Sequence, residues 1–195
     1  MYICGIDEAG RGPLAGPVIT AAVVFSEGIR IEGVRDSKKL SPAKRDRFYD
    51  LILEACAGYR IERIGNKEID DINILKATMR GMQKCLKYIT SDKLSDELKI
   101  FIDGNYLRFE DGSESKYSYE TVVKGDEKIF EVSCASILAK VTRDRLMTEY
   151  DKIYTHYNFR NNKGYGTKEH IAAIKEFGLC DIHRLSFTKN FIQDR

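Results

Sequence analysis

Apolar positions along this chain follow two periods, and the switches between them outline the secondary structure. Residues 2–6 form a short apolar stretch that reads as a strand ending on the adjacent acids Asp7 and Glu8. A turn rich in glycine and proline follows, with Gly10, Gly12, Pro13, Gly16 and Pro17. Residues 18–25 are then apolar and β-branched without a break, the pattern of a strand buried on both faces. Ser41-Pro42 is a helix start, with serine able to cap and proline suited to the first helical position. Phe48, Leu51, Ile52 and Ala55 fall on one face of that helix. Residues 59–64 read as a third strand. A second helix is predicted from about Ile72, carrying Leu75, Met79, Met82, Leu86 and Ile89 at steps of three and four. Such a stripe is far more often core than a cofactor site.

Residues 98–102 form another apolar run, ending at Asp103-Gly104. Residues 107–116 are polar and acidic and read as a solvated loop or hairpin, followed by a strand over 119–123. Residues 129–150 predict a long helix whose small apolar side chains, among them Val132, Ala135, Ile137, Leu138 and Ala139, suit close packing on a sheet. A last helix is predicted over 168–177, with Gly178 as its stop. Strands come first and then alternate with helices, which predicts an α/β fold with a mixed sheet and helices on its faces. Ligands in such sheets gather at the carboxyl ends of strands. Asp7 and Asp103 both stand at predicted carboxyl ends.

Composition changes this picture in a few respects. A length of 195 residues fits one domain with a core of its own. The 32 basic and 30 acidic side chains leave a net charge of only +2, which argues against a blanket of positive charge. A local basic face beside an acidic one remains open, and a metal-dependent nuclease needs both. The five cysteines, Cys4, Cys56, Cys85, Cys134 and Cys180, are odd in number and lack CxxC spacing, so reduced thiols are expected rather than a disulfide framework or zinc site. No apolar run approaches the roughly 20 residues that span a bilayer. No signal-like segment opens the chain, and a soluble cytoplasmic protein without membrane contact is expected.

The candidate chemistry lies in acids and glycines. An isolated Asp-Glu pair is most often solvated surface. Here Asp7 and Glu8 are joined by Asp103, ending another apolar strand, and by Asp126, preceding the long helix. Adjacent strand residues point to opposite faces, so Asp7 and Glu8 reach one site only if the strand is breaking up there. Carboxylates sharing a small volume repel one another unless cations bind, and Mg2+ or Mn2+, hard and oxygen-seeking, are the natural occupants. Gly10-Arg11-Gly12 allows close approach of a backbone to a ligand, although it also suits an ordinary tight turn. It lacks the spacing of a dinucleotide fingerprint or a P-loop. Asp36-Ser37-Lys38-Lys39 is a short basic cluster, and Lys163-Gly164-Tyr165-Gly166 sets an aromatic side chain among glycines, able to stack on a sugar or base. There is no HExxH, no Cys/His metal spacing involving His156, His170 or His183, and no GxSxG, which leaves zinc, cysteine and serine hydrolase mechanisms unsupported.

Residues 5–18, GIDEAGRGPLAGPV, resemble the opening signature of the ribonuclease HII family. DSKKL at 36–40, Ile102-Asp103-Gly104, Lys124-Gly125-Asp126, ASILAKVTRD at 135–144 and KGYGT at 163–167 match in the same order and extend the resemblance over most of the chain. The resemblance implies a ribonuclease H-like mixed five-stranded sheet flanked by helices. It implies one domain over 1–195, with a core of about 1–150 and a helical extension over about 151–195. Asp7, Glu8, Asp103 and Asp126 then correspond to the catalytic, metal-binding carboxylates. Gly10, Arg11 and Gly12 correspond to the sensor of the ribose 2′-hydroxyl, and Tyr165 to the tyrosine that packs on deoxyribose at an RNA–DNA junction. Ser37, Lys38, Lys39 and Lys163 are expected to position phosphates. The implied enzyme is a ribonuclease H that cuts the RNA strand of hybrids and nicks 5′ of single ribonucleotides in duplex DNA, leaving 5′-phosphate and 3′-hydroxyl ends. Its tasks would be ribonucleotide removal and RNA primer removal. The implied chemistry uses Mn2+ or Mg2+, two ions roughly 3.5–4 Å apart activating water and the leaving oxygen. Partners are the hybrid duplex and ribonucleotide-containing DNA, and a monomer is expected.

The chain also departs from the family pattern. The segment between Asp103 and Asp126 is longer than in many relatives, Asn162 stands where bacterial relatives often have histidine, and Cys134 replaces a common alanine. No sliding-clamp peptide is expected near the end, and arginine between the glycines favours the HII branch over HIII, whose extra N-terminal domain is not expected. Two rival readings keep the fold but change the function. One is a non-catalytic RNA–DNA binding module, opposed by the presence of all four acids. The other is a DNA-cutting relative, opposed by Gly10-Arg11-Gly12 and Tyr165.

Overall fold

A computed structural model describes residues 1–34, 40–91 and 98–191. The unbroken apolar run after the glycine-rich turn becomes β2 (Val18–Ser26), paired antiparallel on one side with β1 (Tyr2–Ala9) and on the other with β3 (Gly58–Ile64). β1 pairs in parallel with β4 (Leu98–Asp103), which pairs in parallel with β5 (Tyr119–Val122), giving the order β3-β2-β1-β4-β5. The expected mixed, five-stranded sheet is therefore present.

Alternation along the strands assigns the two faces. Cys4, Ile6, Ala22 and Val24 pack with Met82, Cys85 and Leu86 of α3 (Ile74–Thr90). Ile19, Ala21, Val23 and Phe25 face α1 (Pro42–Ala55) and the 24-residue α5 (Phe130–Ile153). β2 is apolar at every position because both its faces are covered. Ser41 caps α1, its hydroxyl accepting from the Lys44 amide at 3.4 Å, with Pro42 at the first position. α5 lies almost on top of β1: a Cβ on Gly5 would stand 2.1 Å from the Glu131 carbonyl carbon. Close approach at that point requires glycine.

Short helices complete the described chain: α2 (Asn66–Ile72), α4 (Gly125–Lys128), α6 (Phe159–Asn162), α7 (Lys168–Phe177) and α8 (Leu185–Thr188). Gly178 stops α7 with a φ of 79°, as expected. Met147 of α5, Leu14 and Ala15 of the glycine-rich turn, and Tyr157, Phe159, Ala173, Ile174 and Ile182 form a separate apolar cluster. Leu14 and Ala15 of the turn are thus buried against the helical C-terminal portion. None of the described helices is long and apolar enough to cross a membrane. All five cysteines are free thiols.

The structure corrects three expectations. β1 does not end at Ile6 or break up at the acids but continues through both to Ala9, because the ladder to β2 runs on through Asp7↔Ala21 and Glu8↔Thr20. Glu8 nonetheless lines a cleft with Ser136, and its charge acts on Asp7 without a break in the strand. Leu75 is 38% exposed and lies outside the buried stripe of α3. Residues 107–116 are only in part a solvated loop: Leu107 and Phe109 are buried in the α3-side core, and Glu110 and Asp111 tie the segment to α3. Asp111 accepts from Gln83 at 2.9 Å, and Glu110 pairs with Arg80 at 2.5 Å. The hydrogen bonds from Ser113 hold Asp111 well below the usual carboxylate range, and the Arg80 contact lowers the pKa of Glu110. Phe109→Ala should accordingly lower unfolding stability by about 3 kcal/mol, the usual cost of emptying a buried aromatic site. A urea melt checks this, since truncating a solvated loop residue would cost no more than about 0.5 kcal/mol.

Candidate active site

The parallel pairing of β1 with β4 ends at Ile6↔Ile102, so the next residues on the two neighbouring strands are Asp7 and Asp103. Cys4 and Ile6 face α3, which turns Asp7 with Gly5 toward α5, where Ser136 hydrogen-bonds its carboxylate. Asp7 is 4% exposed and also accepts from the Glu8 amide at 2.7 Å. Burial, followed by the nearby charges of Glu8 and Asp103, raises the Asp7 pKa well above the ordinary value, with the Ser136 bond opposing. Asp103 accepts from the Gly125 amide at 2.7 Å, which brings the start of α4 against the end of β4. Asp126, the next residue, is 2% exposed, and its carbonyl accepts from the Ser133 hydroxyl at 2.6 Å.

Among the described residues, no three acidic, histidine or cysteine side chains stand close enough, as oriented, to hold a metal ion. The donor chemistry nonetheless fits a hard divalent cation: carboxylate oxygens, with the charges of Glu8 and Asp103 both acting on the buried Asp7.

The glycine-rich turn borders these acids. Gly10 has a φ of 98°, and a Cβ there would sit 2.1 Å from Arg143 Nε, so both backbone and space demand glycine. Arg11 is exposed, with its guanidinium 3.4 Å from Glu8. A Cβ on Gly12 would lie 3.8 Å from the Tyr165 ring, so turn and tyrosine stand side by side. Tyr165 is 44% exposed. Glu8, Gly10, Arg45, Ser136, Lys140 and Tyr165 line a cleft of about 200 Å³. Larger hollows, of about 510 Å³ beside β3 and about 490 Å³ between α1 and α5, lie away from Asp7, so volume alone does not find the chemistry.

Lys163 is turned inward, its ammonium 3.0 Å from the Thr148 hydroxyl and 3.3 Å from the Asp144 carbonyl. Burial lowers its pKa. Ser37, Lys38 and Lys39 lie outside the described residues.

Sequence reasoning passed over several residues that shape this cleft. Ser136, Lys140 and Arg143 recur at helical spacing on one face of α5, a polar row within an apolar helix that was available as a signal. Arg143 is 1% exposed and donates to the carbonyls of Pro17 at 3.0 Å, Ala15 at 3.0 Å and Lys163 at 2.9 Å. Burial pushes its pKa down to about 10, still charged at neutral pH. Arg184, His170 and His183 are also buried; the partners of the Arg184 side chain are main-chain groups 168 to 174 residues away, and no motif announces the contact between the two histidines.

A family model described as Ribonuclease HII matches residues 4–190. A ribonuclease HII of Ruminiclostridium cellulolyticum is 50% identical over 194 residues, covering 98% of this chain and 72% of that relative. The fold superposes on the crystal structure of ribonuclease H2 from Pyrococcus horikoshii OT3 with a TM-score of 0.76 and 27% identity, covering all of both chains. It also resembles Bst-RNase HIII in complex with Mn2+, with a TM-score of 0.70 at 19% identity over 98% of this chain and 69% of that one.

Proposed function

The chain belongs to the ribonuclease HII family, enzymes that cleave RNA in RNA–DNA hybrids and depend on divalent metal ions, and on that premise we propose that it also nicks duplex DNA 5′ of a single embedded ribonucleotide. The products carry 5′-phosphate and 3′-hydroxyl ends. The observation that supports this reading is the placement of Tyr165 beside the glycine-rich turn, where a Cβ on Gly12 would lie 3.8 Å from its ring, on the wall of the cleft that Glu8 also lines. A lone ribose differs from its neighbours only by its 2′-hydroxyl, so its recognition requires a sugar-reading element beside the cutting site.

Asp7, Glu8, Asp103 and Asp126 would hold Mg2+ or Mn2+, which when bound supplies Lewis acidity and a more acidic water. Ser136 orients the Asp7 carboxylate. The main chain at Gly10, Arg11 and Gly12 meets the 2′-hydroxyl, and Tyr165 packs on the deoxyribose that follows. Arg45 and Lys140, both on the cleft wall, hold phosphates in place. Recognition falls on sugar and backbone, so base preference is weak.

Calorimetric titration with Mn2+ tests the carboxylate assignment. Asp103→Asn should weaken Mn2+ binding at least about tenfold and slow cleavage of a continuous hybrid by about a thousandfold, a metal site being worth several kcal/mol to the reaction. Unchanged Mn2+ affinity together with unchanged cleavage would refute it.

A further inference from the structure

The Gly10-Arg11-Gly12 turn and Tyr165 come from opposite ends of the chain, and a single dipeptide, His183-Arg184, holds both. The Arg184 side chain is wholly buried. Its Nε donates to the Gly16 carbonyl at 2.9 Å, and its two terminal nitrogens donate to the carbonyls of Arg11 at 2.9 Å and Gly10 at 2.6 Å. Its own amide donates to the Leu14 carbonyl at 2.8 Å. A trans peptide is planar, with carbonyl and amide pointing in opposite directions. Fixing the carbonyls of Gly10 and Arg11 toward Arg184 therefore aims the amides of Arg11 and Gly12 away from it. Two successive amides so presented form a concavity for an oxygen ligand.

His183 works on the other element. The Cys180 amide donates to His183 Nδ1 at 2.9 Å, which makes that nitrogen an acceptor and leaves the ring proton on Nε2. The Cys180 carbonyl is farther from the same nitrogen, at 3.3 Å, and would require it to donate, leaving two N–H groups face to face. His183 Nε2 lies 3.0 Å from His170 Nε2, which must then accept. The His170 proton consequently sits on Nδ1, 2.9 Å from the Tyr165 carbonyl. One directed chain of neutral imidazoles thus runs from Cys180 to the main chain of Tyr165. Burial holds both rings below the ordinary histidine pKa, His183 at about 4, which favours the neutral pair.

We infer that His183 and Arg184 are positioning residues for ribose recognition, Arg184 aiming the amides of the turn and His183, through His170, fixing Tyr165 across from them. The inference rests on the sugar-reading role proposed above for that turn and tyrosine. It makes the segment around residues 180–184, which does not line the cleft, a determinant of junction specificity.

The test is the ratio of kcat/KM on a single-ribonucleotide duplex to kcat/KM on a continuous hybrid. His170→Gln retains a group facing His183 but loses the donor to Tyr165, whereas His170→Asn retains a donor at the Nδ1 position. The ratio should fall about tenfold in His170→Gln and stay within about twofold of wild type in His170→Asn, small displacements of a positioned group being costly. Tyr165→Ala should show the same fall, and Tyr165→Ala combined with His170→Gln no further fall, as expected when one residue acts through the other. Arg184→Lys, with one ammonium for three carbonyls, should shift the ratio the same way. Equal losses on both substrates, or losses that add to that of Tyr165→Ala, would reduce these residues to structural support and overturn the inference. A ratio lost in Tyr165→Ala but kept in His170→Gln would also overturn it, while a ratio kept in Tyr165→Ala would overturn the reading of Tyr165 itself. If His170→Gln does not fold, His183→Asn, which keeps the acceptor for Cys180 but has no proton for His170, gives the same decision.

Discussion

Asp7→Asn should abolish cleavage, by about a thousandfold or more, and at the same time raise the melting temperature of the metal-free protein. The first effect follows from the removal of a buried oxygen donor at the junction of β1 and β4. Several kcal/mol of lost transition-state stabilisation corresponds to three or more powers of ten in rate. The second follows from the raised pKa, whose largest cause is burial, followed by the charges of Glu8 and Asp103. A carboxyl whose folded pKa lies above its unfolded value stabilises the fold only below the unfolded value, near 4, and that benefit is lost as pH rises through the folded pKa. At neutral pH, where the carboxyl of the unfolded chain is ionised, the raised pKa of Asp7 makes it a net burden on the metal-free fold. Asparagine removes the charge while its oxygen still accepts from the Glu8 amide. For a chain of this size each kcal/mol recovered is worth roughly 2–4 °C, so a rise of at least about 3 °C is expected. Added Mn2+ should raise the melting temperature of the wild type and close the gap. Paired melts with and without Mn2+ and a cleavage assay check both halves; a lower melting temperature for the metal-free variant would show that Asp7 is a structural partner rather than a strained ligand.

Gly5→Ala is expected to produce the largest loss of stability from the smallest change. The added methyl would stand 2.1 Å from the Glu131 carbonyl carbon, 2.2 Å from its oxygen and 2.3 Å from the Val132 nitrogen. All three are backbone atoms of a long helix, which cannot rotate aside as a side chain can. α5 must withdraw from β1, and overpacking of this kind costs about 3 kcal/mol or more. The melting temperature should fall by roughly 6–12 °C. Because Ser136 on α5 orients Asp7 on β1, the same displacement should slow cleavage by about a hundredfold in the protein that remains folded. Gly58→Ala, where an added Cβ meets nothing within 4 Å, is the control and should change neither.

Much of this was legible in the sequence wherever a local rule governs a residue. Burial on both faces wrote β2 as an unbroken apolar run, Ser41-Pro42 marked the start of α1, and Gly178 marked the end of α7. Asp7 and Asp103 were legible as neighbours because parallel strands put their carboxyl ends together. Other features depend on distant parts of the chain. The ladder of β1 continues past its acids because β2 offers main-chain partners, which side-chain polarity does not report. The acids of residues 107–116 masked two core residues, Leu107 and Phe109, whose burial depends on α3. α2 is too short for a periodic stripe to announce it. Arg143 and Arg184 are charged side chains in the interior whose donors end on carbonyls of the glycine-rich turn, and no spacing rule connects residue 184 to residue 10. The family resemblance located the turn and Tyr165, but what holds them together came only from the structure.

The central claim is that the acids and the turn beside them form one site that cuts where a ribose 2′-hydroxyl is found. Its most direct test is an end-labelled DNA duplex containing one ribonucleotide, incubated with the protein and Mn2+ or Mg2+ beside an all-deoxy duplex of the same sequence, with the product ends mapped. The expected result is a single nick 5′ of the ribonucleotide, with 3′-hydroxyl and 5′-phosphate ends, and an intact all-deoxy duplex. Cutting of the all-deoxy duplex, or an uncut single-ribonucleotide duplex under conditions where a continuous hybrid is cleaved, would contradict it.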